Sequence, residues 1–293
     1  MTIITDRDLR FLAILADYEL MTTTQLSTRA FAGVDKRTVL RRLRKLEEER
    51  LIKRSHGLPS GELAWSLAHY GAFRIHRDSF LEKVNLNSLE HDTTLTELRL
   101  VLESSGAASS WTTEQHIRRL LPKSDRRNAS EICPDAIFAV RTPKGFEAVA
   151  LELELSGKNP SRYSKIFAAY GQRAKYFALW YIVDSDALGR KLQNAWGKAN
   201  SDIVRPQFGW MLLKEILANP VSAKLHCKTG IMQLGSMIEV RQTNAPIAPA
   251  HTPASRIDTQ TMGKINVPNE SRLKQEGVPL PHIGQNKGSA HAS

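Results

Sequence analysis

Between Asp35 and Leu67 the chain reads DKRTVLRRLRKLEEERLIKRSHGLPSGELAWSL, and this stretch constrains the fold more than any other. Wound as a helix at about 100° per residue, Lys36 to Leu46 places Val39, Leu40, Leu43 and Leu46 on one face. Arg37, Arg41, Arg44 and Lys45 fall on the opposite face, with Thr38 among them. The apolar stripe suits docking on a small core and the basic stripe suits solvent. Arg and Lys side chains on such a face are long enough to reach phosphates and the O6/N7 edge of guanine. Asp35 stands where an N-cap carboxylate is wanted, and Glu47 to Glu49 fall in the last turn, away from a base-reading end.

The residues that follow predict a β-wing. Ile52-Lys53-Arg54-Ser55 is succeeded by a turn with Gly57, Pro59 and Gly61, then by Leu63-Ala64-Trp65-Ser66-Leu67, in which Leu63, Trp65 and Leu67 alternate as in a half-buried strand. Upstream, Thr5 to Ala16 reads as a first helix and Met21 to Phe31 as a second, with Ala32-Gly33-Val34 as the turn into the basic helix. Three helices and a wing make a winged helix-turn-helix over residues 1–70. On this reading Lys36, Arg37, Thr38, Arg41, Arg44 and Lys45 face the major groove of duplex DNA. Lys53, Arg54 and His56 on the wing touch phosphate or the minor groove. The competing reading is a solvated basic helix in an ordinary bundle; one-sided charge followed by a wing favours DNA.

The totals agree with a polyanionic partner. The 293 residues allow two domains, and 41 Lys and Arg against 30 Asp and Glu give a net charge of +11. Cys133 and Cys227 are far apart and lack metal-ligand spacing, so a reducing cytoplasm is expected. The N-terminus has no signal-peptide plan and no apolar run is long enough to span a bilayer.

Residues 71–84, part of a predicted helix from Ala68 to Val84, read as a connecting helix, equally suited to a homodimer arm or to packing on the next domain. Residues 85–241 read as a mixed α/β sheet domain. Its helix Leu89–Leu102 leads to a strand Trp111–His116, a polar loop Leu121–Glu131, and strands Cys133–Val140 and Phe146–Leu155 about the turn Thr142–Gly145. A basic helix Ser161–Tyr176, an all-apolar strand Phe177–Val183, a helix Asp184–Asn200 and a strand Phe208–Leu213 complete it. Residues 242–293 hold six of the 13 prolines and no aromatic residue, the composition of a disordered tail.

One constellation in the α/β part carries chemistry. Asp135 begins one strand, and Glu152 and Glu154 share a face of the next by the period of two. If the strands pair through the Thr142–Gly145 hairpin, Asp135 lies beside that pair. Three carboxylates on one edge suit Mg²⁺, which would activate water for phosphodiester cleavage. Lys158, four residues after Glu154, and Glu90 are further contributors. Alternatively, Glu152 and Glu154 form a solvent-facing strand edge paired with Lys158 and Arg162.

This region resembles the active-site region of the PD-(D/E)xK nucleases. The resemblance implies a restriction-endonuclease-like domain with Asp135, Glu152, Glu154 and Lys158 catalytic and the three carboxylates as metal ligands. Glu154 stands where that family usually has Lys. The order of a winged helix followed by LEHDTTLTELRLVL, PDAIFAV, LELELSGK and RYSKIFAAY is similar to the replication-relaxation family of plasmids and other mobile elements. That likeness implies a DNA-binding accessory or regulatory protein of replication, relaxosome assembly, transfer or transcription. It also implies replication or relaxosome proteins as partners. The runner-up is a Mg²⁺-dependent DNA endonuclease targeted by the winged helix.

Overall fold

The computed structural model describes residues 3–78, 80–120, 133–172, 176–200 and 206–239. These form two compact units that divide between Ser104 and Ser105.

In the first unit the first three helices each start at a capping side chain. Thr5 opens α1 (Asp6–Tyr18): its hydroxyl accepts from the Asp8 amide, and its own amide donates to Asp8 Oδ2 at 2.8 Å. Thr22 and Gln25 repeat the arrangement at α2 (Thr23–Ala30). Asp35 Oδ1 accepts from the amides of Arg37 and Thr38, each at 3.0 Å, and opens α3 (Lys36–Glu48) as expected. Between α1 and α2 lies β1 (Leu20–Thr22); after α3 come β2 (Ile52–Ser55) and β3 (Ala64–Leu67). The three strands form an antiparallel sheet in the order β1-β3-β2. Phe11, Leu12, Leu15, Leu26, Val39, Leu43, Leu46 and Trp65 share one core. This is a winged helix-turn-helix.

Two expectations shift here. Met21 and Thr22 belong to a strand, not to the second helix. All four residues of β3 are buried, because the strand is central and covered on both faces. On one face Trp65 joins the main core; on the other Ala64 packs with Leu20, Leu81 and Leu89.

The expected connecting helix is much shorter. Helix α4 (His69–Arg74) ends where His76 takes φ 52° and the Arg77 amide donates back to the Ala72 carbonyl at 2.9 Å. Arg77 then pairs with Asp17 on α1. A 3₁₀ turn (Leu86–Ser88) leads into α5 (Leu89–Ser104). The reading that began the second domain at residue 85 assigned α5 to it, but α5 belongs to the first unit. Polar groups fasten it there: Thr96 Oγ1 donates to the Leu20 carbonyl at 2.8 Å. Gln25 Nε2 donates to the Thr93 carbonyl and to Glu97, both at 2.9 Å, and Tyr18 OH donates to Glu103 at 2.7 Å.

The second unit contains β4 (Ser109–Thr113), α6 (Glu114–Leu120), β5 (Ala136–Thr142), β6 (Gly145–Glu154), α7 (Pro160–Gly171) and β7 (Ala178–Val183). It continues with α8 (Asp186–Ala199), β8 (Gln207–Leu212), α9 (Leu213–Ala218), β9 (Lys224–Cys227), β10 (Gly230–Gln233) and α10 (Leu234–Met237). Its seven strands lie in the order β10-β9-β8-β7-β6-β5-β4, so the sheet is mixed: β6, β7 and β8 run parallel and the remaining pairings are antiparallel. The apolar run of β7 is buried throughout, as expected of a central strand. Helices α7 and α8 cover one face through Tyr163, Phe167, Tyr170, Leu192 and Trp196.

The first strand of this sheet ends at Thr113 rather than at His116, because the Thr113 hydroxyl accepts from the His116 amide and starts α6. The hairpin β9–β10 lies beyond the strands read from sequence. The polar loop Leu121–Glu131 and the tail 242–293 lie outside the described residues. Among the described residues no helix is long and apolar enough to cross a membrane.

Candidate nucleic-acid interface and carboxylate cluster

Helix α3 sorts its cations by face. Lys36, Arg37, Arg41, Arg44 and Lys45 are exposed, and Thr38 is half-buried beside the Asp35 cap. Arg37, Leu40, Arg41, Arg44, Lys45 and Glu48 line an open concavity along the helix. Among the described residues Arg37, Arg41, Arg44 and Lys45 make no ion pair. Arg42, one residue from Arg41, is turned the other way: its Nε donates to Asp8 Oδ1 at 2.9 Å and a terminal nitrogen reaches Oδ2. Asp8 is fully buried. Burial works against its ionisation, but the hydrogen bonds from Arg42 and Thr5 outweigh it and hold the carboxyl below its ordinary range. That buried pair fixes the rotation of α3 against α1 and leaves the remaining guanidinium groups outward.

The wing residues divide differently. His56 is exposed near the turn. Arg54 is exposed but pairs with Glu47 at 3.2 Å. Lys53 does not project as expected: it is half-buried, its ammonium donates to the Glu82 carbonyl, and burial lowers its pKa. Lys36 pairs with Glu62 at 3.3 Å and donates to Thr24 Oγ1 at 2.9 Å. Glu62, which sequence reasoning missed, also accepts from the Thr24 amide at 2.8 Å and so ties α2, α3 and the residues before β3 together. A lone acid in a Gly-rich turn carries no sequence signal of that role.

In the second unit the Thr142–Gly145 hairpin pairs β5 with β6 in register, with Ala136 opposite Leu151. Asp135 therefore stands next to Glu152, as the hairpin reading anticipates. Its Oδ2 accepts from the Leu153 amide at 2.7 Å. Glu152 is half-buried and its Oε1 accepts from Tyr170 OH at 2.5 Å. Burial, then the Asp135 charge, push the Glu152 carboxyl well above its usual range, against the hydrogen bond from Tyr170. Glu154 is 3% exposed and takes the Lys158 ammonium at 2.5 Å. The solvent-facing alternative thus fails for Glu154, since β6 is an interior strand, although Lys158 does pair with it.

Phenols complete the cluster. Tyr163 OH accepts from the Lys158 amide at 2.8 Å, and burial raises its pKa to about 12; burial also raises Tyr170 and Tyr181. Tyr163 and Tyr181 were not singled out from the sequence. Tyr163 lies seven residues before Tyr170 on one helix face, a spacing that reads as core. Glu90 is exposed on α5, in the other unit. Among the described residues no set of three or more His, Cys, Asp and Glu side chains comes together as a metal centre. Asp135, Glu152 and Glu154 are held by an amide, a phenol and an ammonium respectively.

The fold joins a winged helix-turn-helix to a seven-stranded mixed α/β unit. The family model described as replication-relaxation matches residues 12–177, and the chain belongs to that family. That membership associates it with DNA replication. Among solved structures, it is similar to the transcriptional regulator PA4135, at 18% identity over 43% of this chain and 79% of that one, with a TM-score of 0.22. It is also similar to the restriction endonuclease FokI, at 11% identity over 74% of this chain, with a TM-score of 0.28. The chain spans 44% of the FokI structure. No curated protein matches.

Proposed function

We propose that the protein binds duplex DNA in a sequence-specific manner through α3 and acts as an accessory or regulatory factor in the replication, transfer or transcription of a plasmid or other mobile element. The observation that carries this reading is the outward row Arg37, Arg41, Arg44 and Lys45, which makes no ion pair among the described residues while Arg42 is anchored inward. In the proposed complex, Arg41 and Arg44 contact base edges or phosphates, Lys36, Arg37, Thr38 and Lys45 flank them, and Arg54 and His56 approach the backbone. Lys53 supports the wing instead. A homodimer on a two-fold site and replication or relaxosome proteins as partners belong to the same proposal, as does a cytoplasmic location.

The carboxylate cluster is read as a structural network. Each acid already has a protein donor, and burial with the neighbouring Asp135 charge raises the Glu152 pKa. The test of sequence-specific binding is selection from a random duplex pool with the full chain. The reading expects enrichment of a short motif; bound sequences indistinguishable from the input would overturn it.

A further inference from the structure

We propose that the outer face of α7 and α8 is a second DNA-binding surface, one that grips the phosphate backbone of duplex DNA without reading its sequence. The proposal rests on the reading of the chain as a duplex-binding protein, but on residues of a different unit from α3.

The argument begins with the signs of the charges. Helix α7 carries Arg162 and Lys165 and no carboxylate; α8 carries Arg190, Lys191 and Lys198 against Asp186 alone. Other surface helices of this protein mix their charges. In α1, Arg7 and Arg10 stand with Asp6, Asp8 and Asp17; in α5, Arg99 stands with Glu90, Asp92, Glu97 and Glu103. A helix whose polar face merely needs solvating has no reason to exclude one sign.

Geometry puts the cations on one side. Both helices cover the same face of the sheet, with Tyr163, Phe167, Tyr170, Leu192 and Trp196 inward, so their outer sides open to the same solvent. Arg162, Lys165, Arg190, Lys191 and Lys198 are all exposed there. Lys191 reaches across from α8: its ammonium lies 3.4 Å from the Lys158 carbonyl and 5.8 Å from the Tyr163 ring centroid, over the turn that opens α7. Among the described residues Arg162, Lys165, Lys191 and Lys198 make no ion pair, and Arg190 meets Asp186 only at 3.9 Å. A row of unneutralised cations across two packed helices complements a line of phosphates, the contact that carries affinity without sequence information.

The test uses the full chain and a 40-base-pair duplex of random sequence, with affinity followed by fluorescence anisotropy at several salt concentrations. Each phosphate contact adds about 0.9 to the slope of log affinity against log salt. The triple variant Arg162→Ser, Lys165→Ser, Lys191→Ser is expected to lower that slope by about 2–3 and to weaken binding at low salt tenfold or more. Its circular dichroism should match the parent, showing that the fold survives loss of the Lys191 contacts with the Lys158 carbonyl and the Tyr163 ring. The charge-retaining variant Lys165→Arg, Lys191→Arg is expected to keep the slope. An unchanged slope in the serine variant, or an equal fall in the charge-retaining one, overturns the proposal. Either result leaves the α3 reading intact, which is tested by selectivity among sequences rather than by this slope.

Discussion

At the scale of single residues, Asp8 and Glu152 show opposite consequences of burying a carboxyl. Asp8 is buried with a guanidinium and a capped helix end, and its pKa falls. Its contribution to stability is therefore fully present above the unfolded-state value near 4 and lost as pH falls through the lower folded value. Asp8→Asn is predicted to destabilise the first unit by about 2 kcal/mol at neutral pH, since Arg42 loses a charged hydrogen-bond partner. Urea unfolding at pH 7 checks it. Glu152 runs the other way. Its folded pKa lies well above the unfolded one, so the stability that it lends is present at low pH and declines as pH rises from the unfolded value toward the folded one. Glu152→Gln keeps an acceptor for Tyr170 and removes the titration. The variant is predicted to gain on the parent as pH rises above the unfolded-state value near 4, as denaturant midpoints across a pH series would record. A difference between the two proteins that does not vary with pH would refute the assignment. Neither behaviour is legible in the sequence, where Asp8 looks like one more acid in a first turn and Glu152 like half of an alternating pair.

Among the elements, α8 docks where it does because Gly189 has no side chain. A Cβ there would lie 2.3 Å from two atoms of the Trp210 ring and 2.6 Å from a third. The ring is not free to give way: its Nε1 donates to Gln193 at 3.0 Å and its face stacks on His226 at 3.8 Å. Gly189→Ala therefore sets a helix-propensity gain of about 1 kcal/mol against overpacking of about 1–3 kcal/mol. Contact with a pinned ring puts the cost at the upper end, and thermal unfolding of the variant is predicted to show a net loss of about 1–2 kcal/mol. Elements with strong local signals were readable in advance: α3 from its two faces and Asp35, β7 from an unbroken apolar run, and β5–β6 from the Thr-Pro-Lys-Gly turn. What failed was decided by tertiary hydrogen bonds. Thr96, Gln25 and Tyr18 draw α5 onto the first unit, and His76 in a left-handed conformation ends α4, yet each of these is an ordinary polar residue in the sequence.

At the scale of the whole molecule, the net charge is +11, and among the described residues exposed cations gather in patches. One patch lines α3 in the first unit, and a second covers α7 and α8 in the other. The cluster beneath α7 is acidic, but its acids are spoken for by protein donors. The candidate site on α3 was legible because a helix that must bury one stripe and hydrate the other writes both into a period of 3.6. The state of the carboxylate cluster was not, because pairing and burial depend on partners far away in sequence, such as Tyr170 for Glu152. Everything functional here depends on α3 meeting duplex DNA with its guanidinium face. The most direct test compares the parent with Arg41→Ala, Arg44→Ala on a duplex carrying the selected motif, at fixed salt. Each good base or phosphate contact is worth about 1–3 kcal/mol, so affinity is predicted to fall tenfold or more with the unfolding midpoint unchanged. Equal affinity of the two proteins for that duplex would contradict the account.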